Sequence, residues 1–217
     1  MTNKLIVSSS PHIHAPDTTR GIMFDVIIAL LPAAAFSILL FGWRAALIIA
    51  VCIISAVLFE YLGCKVFKTE NTIKDLSAVV TGILLALNLP PSLAGKNIWM
   101  AVVGCFAAIF IVKQMFGGLG HNFVNPAIAA RIILLISFPA QMTTYYAPFT
   151  RAVTEATPLA EDAATYGIKE LLFGTHSGSI GETSVLLLVI GGLYLIIRGV
   201  IKPIIPFIIS KNKLPNI

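Results

Sequence analysis

Residues 23–63 read MFDVIIALLPAAAFSILLFGWRAALIIAVCIISAVLFEYLG. Two apolar runs, Met23 to Phe41 and Ala45 to Gly63, flank the turn Gly42-Trp43-Arg44. Each run has about the 20 residues that a bilayer-crossing helix needs. The apolar residues are continuous and do not alternate with polar ones, which separates them from the strands of a membrane barrel. The stretch predicts a transmembrane helical hairpin and sets the class for the rest of the chain.

Composition agrees. The chain is 57% hydrophobic and 12% charged, with a mean hydropathy of +0.91, far from the roughly 25% charged residues of a soluble domain. A net charge of +5 does not indicate nucleic-acid binding here, because the basic residues border apolar runs, where they orient a protein in the lipid bilayer. The first 22 residues are polar and include Pro11, His12, His14 and Pro16. They fit no cleavable signal and read as a cytoplasmic tail ahead of a membrane domain spanning 23–217.

Beyond the hairpin the apolar segments shorten. Leu76 to Leu89 stops at Pro90-Pro91, and its 14 residues cover only about 21 Å of a roughly 30 Å hydrocarbon core. Ile98 to Val112 follows, then the glycine-rich loop 116–126, then Ala127 to Phe138, for which Asn125 and Pro126 suit the cap and first helical position. A polar loop over 143–183 precedes a sixth segment, Ser184 to Ile197, and Val200 to Ile209 reads as the start of a seventh. The fold class is all-α, a polytopic transmembrane bundle of six to seven helices with short broken ones among them. Broken helices leave backbone groups unpaired at depth, as in the ion and cofactor sites of transport folds, so Leu76–Leu89 and Ala127–Phe138 are read as walls of a site. The alternative is two ordinary helices completed by polar flanks.

With the N-terminus inside and six crossings, ten basic residues fall inside (Lys4, Arg20, Lys65, Lys68, Lys74, Lys113, Arg198, Lys202, Lys211, Lys213) and four outside (Arg44, Lys96, Arg151, Lys169). The bias places the 143–183 loop outside. Arg131 lies within a segment, where burial costs roughly 2.5 to 3.5 kcal/mol on insertion scales. It faces the bundle interior, an acid or a phosphate, or it snorkels to the inner surface. Asp25 and Glu60 sit near the inner ends, where carboxylates can remain hydrated at little cost; neither is assigned to an ion relay, although one of them could serve in one.

Cys52, Cys64 and Cys105 lack the four-ligand set of an iron–sulfur cluster and read as buried packing. His12, His14, His121 and His176 lack zinc-helix spacing. The run Gly174 to Thr183 carries no P-loop lysine, and Gly118-Leu119-Gly120 has no dinucleotide-fold context. On the polar loop, Thr154-Glu155-Ala156-Thr157-Pro158-Leu159 presents hydroxyls. Thr157 reads either as an attachment point or as a helix cap before a proline.

Several motifs occur in order over nearly all of 8–197: Ser10-Pro11-His12-Ile13, Ser77 to Leu87 with Leu89-Pro90-Pro91, Lys113 with Phe116 to Gly120, Asn122, Asn125-Pro126-Ala127, Ala130-Arg131, Ala156-Thr157-Pro158-Leu159 and Gly178 to Ser184. Together they resemble the RnfD family of the Rnf electron-transport complex, whose sister family is NqrB of the sodium-pumping NADH:quinone reductase. The resemblance implies a flavin-carrying membrane subunit of a ferredoxin:NAD⁺ oxidoreductase that exports Na⁺ or H⁺ across a bacterial or archaeal cytoplasmic membrane. It implies covalent FMN on Thr157 through a phosphoester, installed by a flavin transferase, and other Rnf subunits as partners. Thr154, Ala156, Arg131, Gly117, Gly118, Asn122 and Asn125 are candidate supports for the cofactor.

The chain departs from the family pattern at Arg151, where such acceptor sites carry an acid, and at Glu155, where they carry a small residue. It reads as C-terminally shortened relative to a family built from two related halves. Other classes compatible with a broken-helix bundle are a solute transporter or channel and a flavin-free structural subunit.

Overall fold

The computed structural model describes residues 18–69, 72–122, 124–146, 174 and 177–203. Helix α1 spans Thr19–Phe41. It begins earlier than the apolar run because the Thr18 hydroxyl accepts the Gly21 N–H at 3.2 Å and caps the first turn. Gly42, at φ +64°, separates it from α2, Trp43–Phe67, so the turn is a single residue and Trp43 is already helical. Both helices are long and apolar enough to cross a membrane.

The short segments are short in fact. Helix α3 is Ser77–Asn88, about 18 Å long, bounded by 3-10 turns at Ile73–Asp75 and Pro91–Leu93. Helix α4, Trp99–Phe106, widens without a break into a π-helix over Ala107–Gln114. Helix α5 is Pro126–Ser137 with Asn125 as its cap; the Asn125 side chain accepts the Ala127 N–H at 3.0 Å, and Pro126 fills the first position. A single turn, α6, covers Pro139–Met142, and α7 is Val185–Ile197. No strand occurs among the described residues. The expected seventh segment, Val200 to Ile209, lies mostly outside them.

Contacts at the helix ends show that the six segments alternate in direction. At one end Arg44 stacks on the Tyr146 ring at 4.3 Å, Ser92 Oγ donates to the Thr144 carbonyl at 2.6 Å, the Ile180 N–H donates to the Leu89 carbonyl at 3.0 Å, and Trp99 meets Phe138 edge-on. At the other end Glu60, Ser77 and Lys113 meet, and Asp25 pairs with Arg198 at 3.0 Å. Arg44 and Glu60 are 16 residues apart on α2, so the ends are separated by about 24 Å. We call the first the loop end, because both described flanks of 147–173 reach it, and the second the ion-pair end.

The core is made by small residues that let backbones approach, as expected where apolar burial gives helices no preference for one another over lipid. Helix α2 packs chiefly on α3 and α1 on α7. A Cβ at Gly82 of α3 would sit 2.9 Å from the Cys52 carbonyl oxygen and 3.1 Å from Ile53 Cα, both α2 backbone atoms. Gly191 of α7 similarly abuts the Ala29 carbonyl of α1. Large apolar side chains also cover the outside: Leu39, Ile136 and Ile197 are 73%, 76% and 83% exposed, as they would not be in a soluble domain. Gly82→Val therefore forces α2 and α3 apart and is expected to lower stability by about 1–3 kcal/mol. Gly192→Ala, which meets nothing within 4 Å, is expected to leave the thermal midpoint of the detergent-solubilised protein unchanged.

Candidate functional site

The ion-pair end holds charge where the bundle is otherwise apolar. Glu60 lies toward the end of α2 on the same buried face as Ile48, Cys52 and Ala56, all completely inaccessible, and is itself fully buried. Lys113, near the end of the π-helix, is 1% exposed. Its Nζ donates to Glu60 Oε1 at 2.7 Å and to Ser77 Oγ at 2.8 Å.

Two departures from regular backbone create this meeting. An α-helix advances about 100° per residue, whereas the wider turn over Ala107–Gln114 reorients its last residues, so that Lys113 and Gln114 both face inward. Leu76 takes a left-handed conformation, φ +61°, which is strained for a branched side chain. It lets a 3-10 turn run directly into α3 and sets Ser77 at the first helical position. π-turns and strained backbone both concentrate at functional sites.

A second strand of hydrogen bonds approaches the same carboxylate. Gln114 Nε2 donates to Cys64 Sγ at 3.6 Å, Cys64 Sγ and Thr72 Oγ1 are 3.6 Å apart, and Thr72 Oγ1 donates to Glu60 Oε1. Since the Thr72 proton goes to the carboxylate, the Cys64 thiol is the donor to Thr72. Glu60 Oε1 thus carries two donors, while the equally buried Oε2 has none.

Cavities flank the pair. One of about 320 Å³ is lined by Thr72, Asp75, Gln114 and His121 and reaches the surface at exposed Thr19 and Thr69. A smaller one, about 150 Å³, is lined by Ser77, Thr81, Lys113, Asn122 and Asn125. The Asn122 side-chain oxygen is buried at this cavity without a hydrogen-bond donor.

The candidate residues separate into groups. Gly117 and Gly118 line the larger cavity, with φ of +99° and +89° that other residues rarely adopt. Asn122 and Asn125 line the smaller one, so these four gather at the ion-pair end. Arg131 belongs to the other. Its Nη1 donates to Asn88 Oδ1 at 2.8 Å, and Asn88 closes α3 beside Leu89, to which the Ile180 N–H is bonded. Arg131 therefore faces inward, toward the loop end; it does not snorkel to the inner surface, and its hydrogen-bond partner is an amide, not an acid. Thr154, Ala156 and Thr157 lie outside the described residues.

The expectation of hydrated carboxylates is corrected for both acids. Glu60 is enclosed because α2 continues past Gly63 to Phe67 and α3 and the π-helix cover its face. Asp25, 8% exposed, is held by Arg198 and by the Tyr194 hydroxyl at 3.0 Å. Glu60 and Lys113 as a pair are the residues that sequence reasoning missed. The available signal was the helical spacing of Glu60 with Cys52, Ala56 and Cys64, a small and polar stripe on an otherwise bulky helix.

A family model described as the NQR2, RnfD, RnfE family matches residues 6–210. The chain is 51% identical over 212 residues to the D polypeptide of the Na(+)-translocating ferredoxin:NAD(+) oxidoreductase complex of Acetobacterium woodii, covering 94% of this chain and 66% of that one. It is 42% identical over 222 residues to the D polypeptide of the proton-translocating ferredoxin:NAD(+) oxidoreductase complex of Clostridium ljungdahlii, covering 95% and 66%. It is 35% identical over 237 residues to the D polypeptide of the ion-translocating oxidoreductase complex of Rhodobacter capsulatus, covering 91% and 65%. The chain thus spans slightly less than two thirds of the length of these relatives.

Removing one partner of a buried pair strands the other charge, so Lys113→Met is expected to destabilise the protein by about 3–5 kcal/mol. The double variant Glu60→Gln/Lys113→Met removes both charges and is expected to regain most of that loss, measured as thermal midpoints in one detergent.

Proposed function

Because the chain belongs to the NQR2, RnfD, RnfE family, we propose that it is the electron-carrying RnfD component of an ion-translocating ferredoxin:NAD⁺ oxidoreductase complex. It functions with the other membrane and peripheral subunits of that complex and is not a complete enzyme alone. The observation that carries this reading is the extent of the match, 94% of the chain at 51% identity to the Acetobacterium woodii relative. The relatives include a sodium and a proton translocator, so the exported ion is left as Na⁺ or H⁺.

The alternation of the six segments supports the orientation proposed for a bacterial or archaeal cytoplasmic membrane. Arg20, Lys65, Lys68, Lys74, Lys113, Arg198 and Lys202 belong to the ion-pair end, against Arg44 and Lys96 at the loop end. By the bias of basic residues, the ion-pair end and the N-terminus face the cytoplasm and the 143–183 loop faces outward.

Within this reading Thr157 carries FMN through a phosphoester made by a flavin transferase, with Thr154 and Ala156 as its neighbours in the motif. A residue at the loop end fits such a group. Arg131 is a partly buried guanidinium whose hydrogen bond goes to the neutral Asn88 amide and which makes no ion pair among the described residues. That leaves planar N–H donors and a positive charge to meet a phosphodiester. The flavin supplies one- and two-electron redox chemistry when bound. Thr157 prevents its loss, Arg131 offsets the phosphate charge, and Asn88 orients Arg131. Gly117, Gly118, Asn122 and Asn125, gathered at the ion-pair end, are assigned instead to shaping the cavities there.

Co-expression with a flavin transferase is expected to yield a denatured chain that fluoresces under ultraviolet light and carries the mass increment of FMN. Thr157→Ala removes both signals and Thr154→Ala retains them; the opposite pattern moves the attachment by three residues. Absence of flavin from the wild-type chain overturns the assignment.

A further inference from the structure

We propose that Ser37 and Ser92 are positioning residues for the flavin phosphate: they pin the two flanks of the long polar segment to the end of α3, beside Arg131. The inference rests on the reading of Thr157 as the carrier and names what brings its phosphate to the guanidinium. On the leading flank, Ser92 Oγ donates to the Thr144 carbonyl at 2.6 Å, and the Tyr146 ring lies under Arg44. On the trailing flank, the Ile180 N–H donates to the Leu89 carbonyl at 3.0 Å, and the Ile180 carbonyl accepts from Ser37 Oγ at 2.6 Å. The anchors Leu89 and Ser92 are three residues apart in the chain. Asn88, next to Leu89, is the residue that holds Arg131 at 2.8 Å.

The trailing flank is built to be held. Ile180 is completely buried, and a Cβ at Gly181 would lie 2.9 Å from both the Leu87 Cβ and the Leu87 carbonyl oxygen, so the backbone of the turn rests directly on α3. The Ser179 N–H donates to Glu182 Oε2 and the Glu182 N–H to the Ser179 carbonyl, both at 3.0 Å. These bonds make the turn a unit. A serine inside a helix ordinarily returns its proton to the carbonyl four residues earlier, and the Ala33 carbonyl is 2.7 Å from Ser37 Oγ. The second acceptor, Ile180, is 143 residues further along the chain and does nothing for α1 itself.

Pinning has a direct physical effect on whatever the segment carries. The volume a chain segment explores grows with its length, and fixing both flanks to one helix end raises the effective concentration of an attached group at that end. Arg131 supplies the charge and the planar donors that a phosphodiester recognises. Its place beside the C-terminal end of α3, where helix carbonyls favour a cation, holds the guanidinium there before any phosphate arrives. The two serines supply placement alone, and neither hydroxyl is assigned to touch the phosphate.

The test is phosphorus NMR on the full chain co-expressed with a flavin transferase and purified, free of phospholipid, in a maltoside detergent, where the flavin holds the only phosphorus. The folded wild type is expected to show a line displaced from that of the denatured chain, and Arg131→Gln to return it to the denatured position. Ser37→Ala and Ser92→Ala are each expected to remove most of the displacement while keeping the mass increment of FMN. Ser92→Thr, which retains the hydroxyl, keeps the wild-type line, and in an Arg131→Gln background the serine changes add nothing. Serine variants with the wild-type line overturn the proposal. A line that Arg131→Gln leaves in place also overturns it, yet leaves the attachment to Thr157 standing. A wild-type chain without the mass increment sinks the flavin reading itself, and the proposal with it. The pinning is tested without flavin in Thr157→Ala, where adding Ser37→Ala is expected to speed hydrogen exchange of the Ile180 amide about fivefold, as for one lost hydrogen bond. Unchanged exchange there overturns the role of Ser37.

Discussion

A lysine and a glutamate buried together among packed helices constrain this bundle more than any other contact. Neither charge is tolerable there alone, so α2, α3 and the α4 segment must bring Glu60, Ser77 and Lys113 together whenever the chain is folded. The same demand explains the irregular backbone around them. A left-handed Leu76 and a widened turn over Ala107–Gln114 are unfavourable in themselves, and both serve to aim a side chain at this one point.

The remainder of the structure divides along the membrane axis. Small residues such as Gly82 and Gly191 let α2 meet α3 and α1 meet α7 at backbone distance, which fixes the relative heights of the ends. With heights fixed, one end gathers the paired charges and both cavities, and the other gathers Arg131, Asn88 and the flanks of the long polar segment. The Glu60–Lys113 pair and Arg131 thus belong to different ends of the same helices. Helix α3 links the two, with Ser77 as its first residue and Asn88 as its last.

Much of the helical framework was legible in the sequence because it depends on local rules. Apolar length gave α1 and α2, prolines bounded α3, and Asn125-Pro126 marked the start of α5 to the residue. The family was legible from ordered motifs, and the matched range of 6–210 agrees with it. The buried pair was not legible, because the spacing of Glu60 and Lys113 does not say which neighbouring elements cover them. Only the covering of α2 by two other elements removes water from Glu60. The inward turn of Lys113 was hidden for a different reason: helical periodicity assumes a constant angle per residue, and the π-turn breaks it. Thr154, Ala156 and Thr157 were identified from motif alone.

The widened turn has a consequence for how such a core can vary. In a regular helix each inserted or deleted residue swings everything downstream by about 100°. Across 107–114, then, chain length and electrostatics are the same variable: a one-residue indel would carry an ammonium from carboxylate to hydrocarbon without substituting any residue of the site. Homologous chains compared only by substitution would miss that change entirely, since an alignment gap here is equivalent to moving a charge.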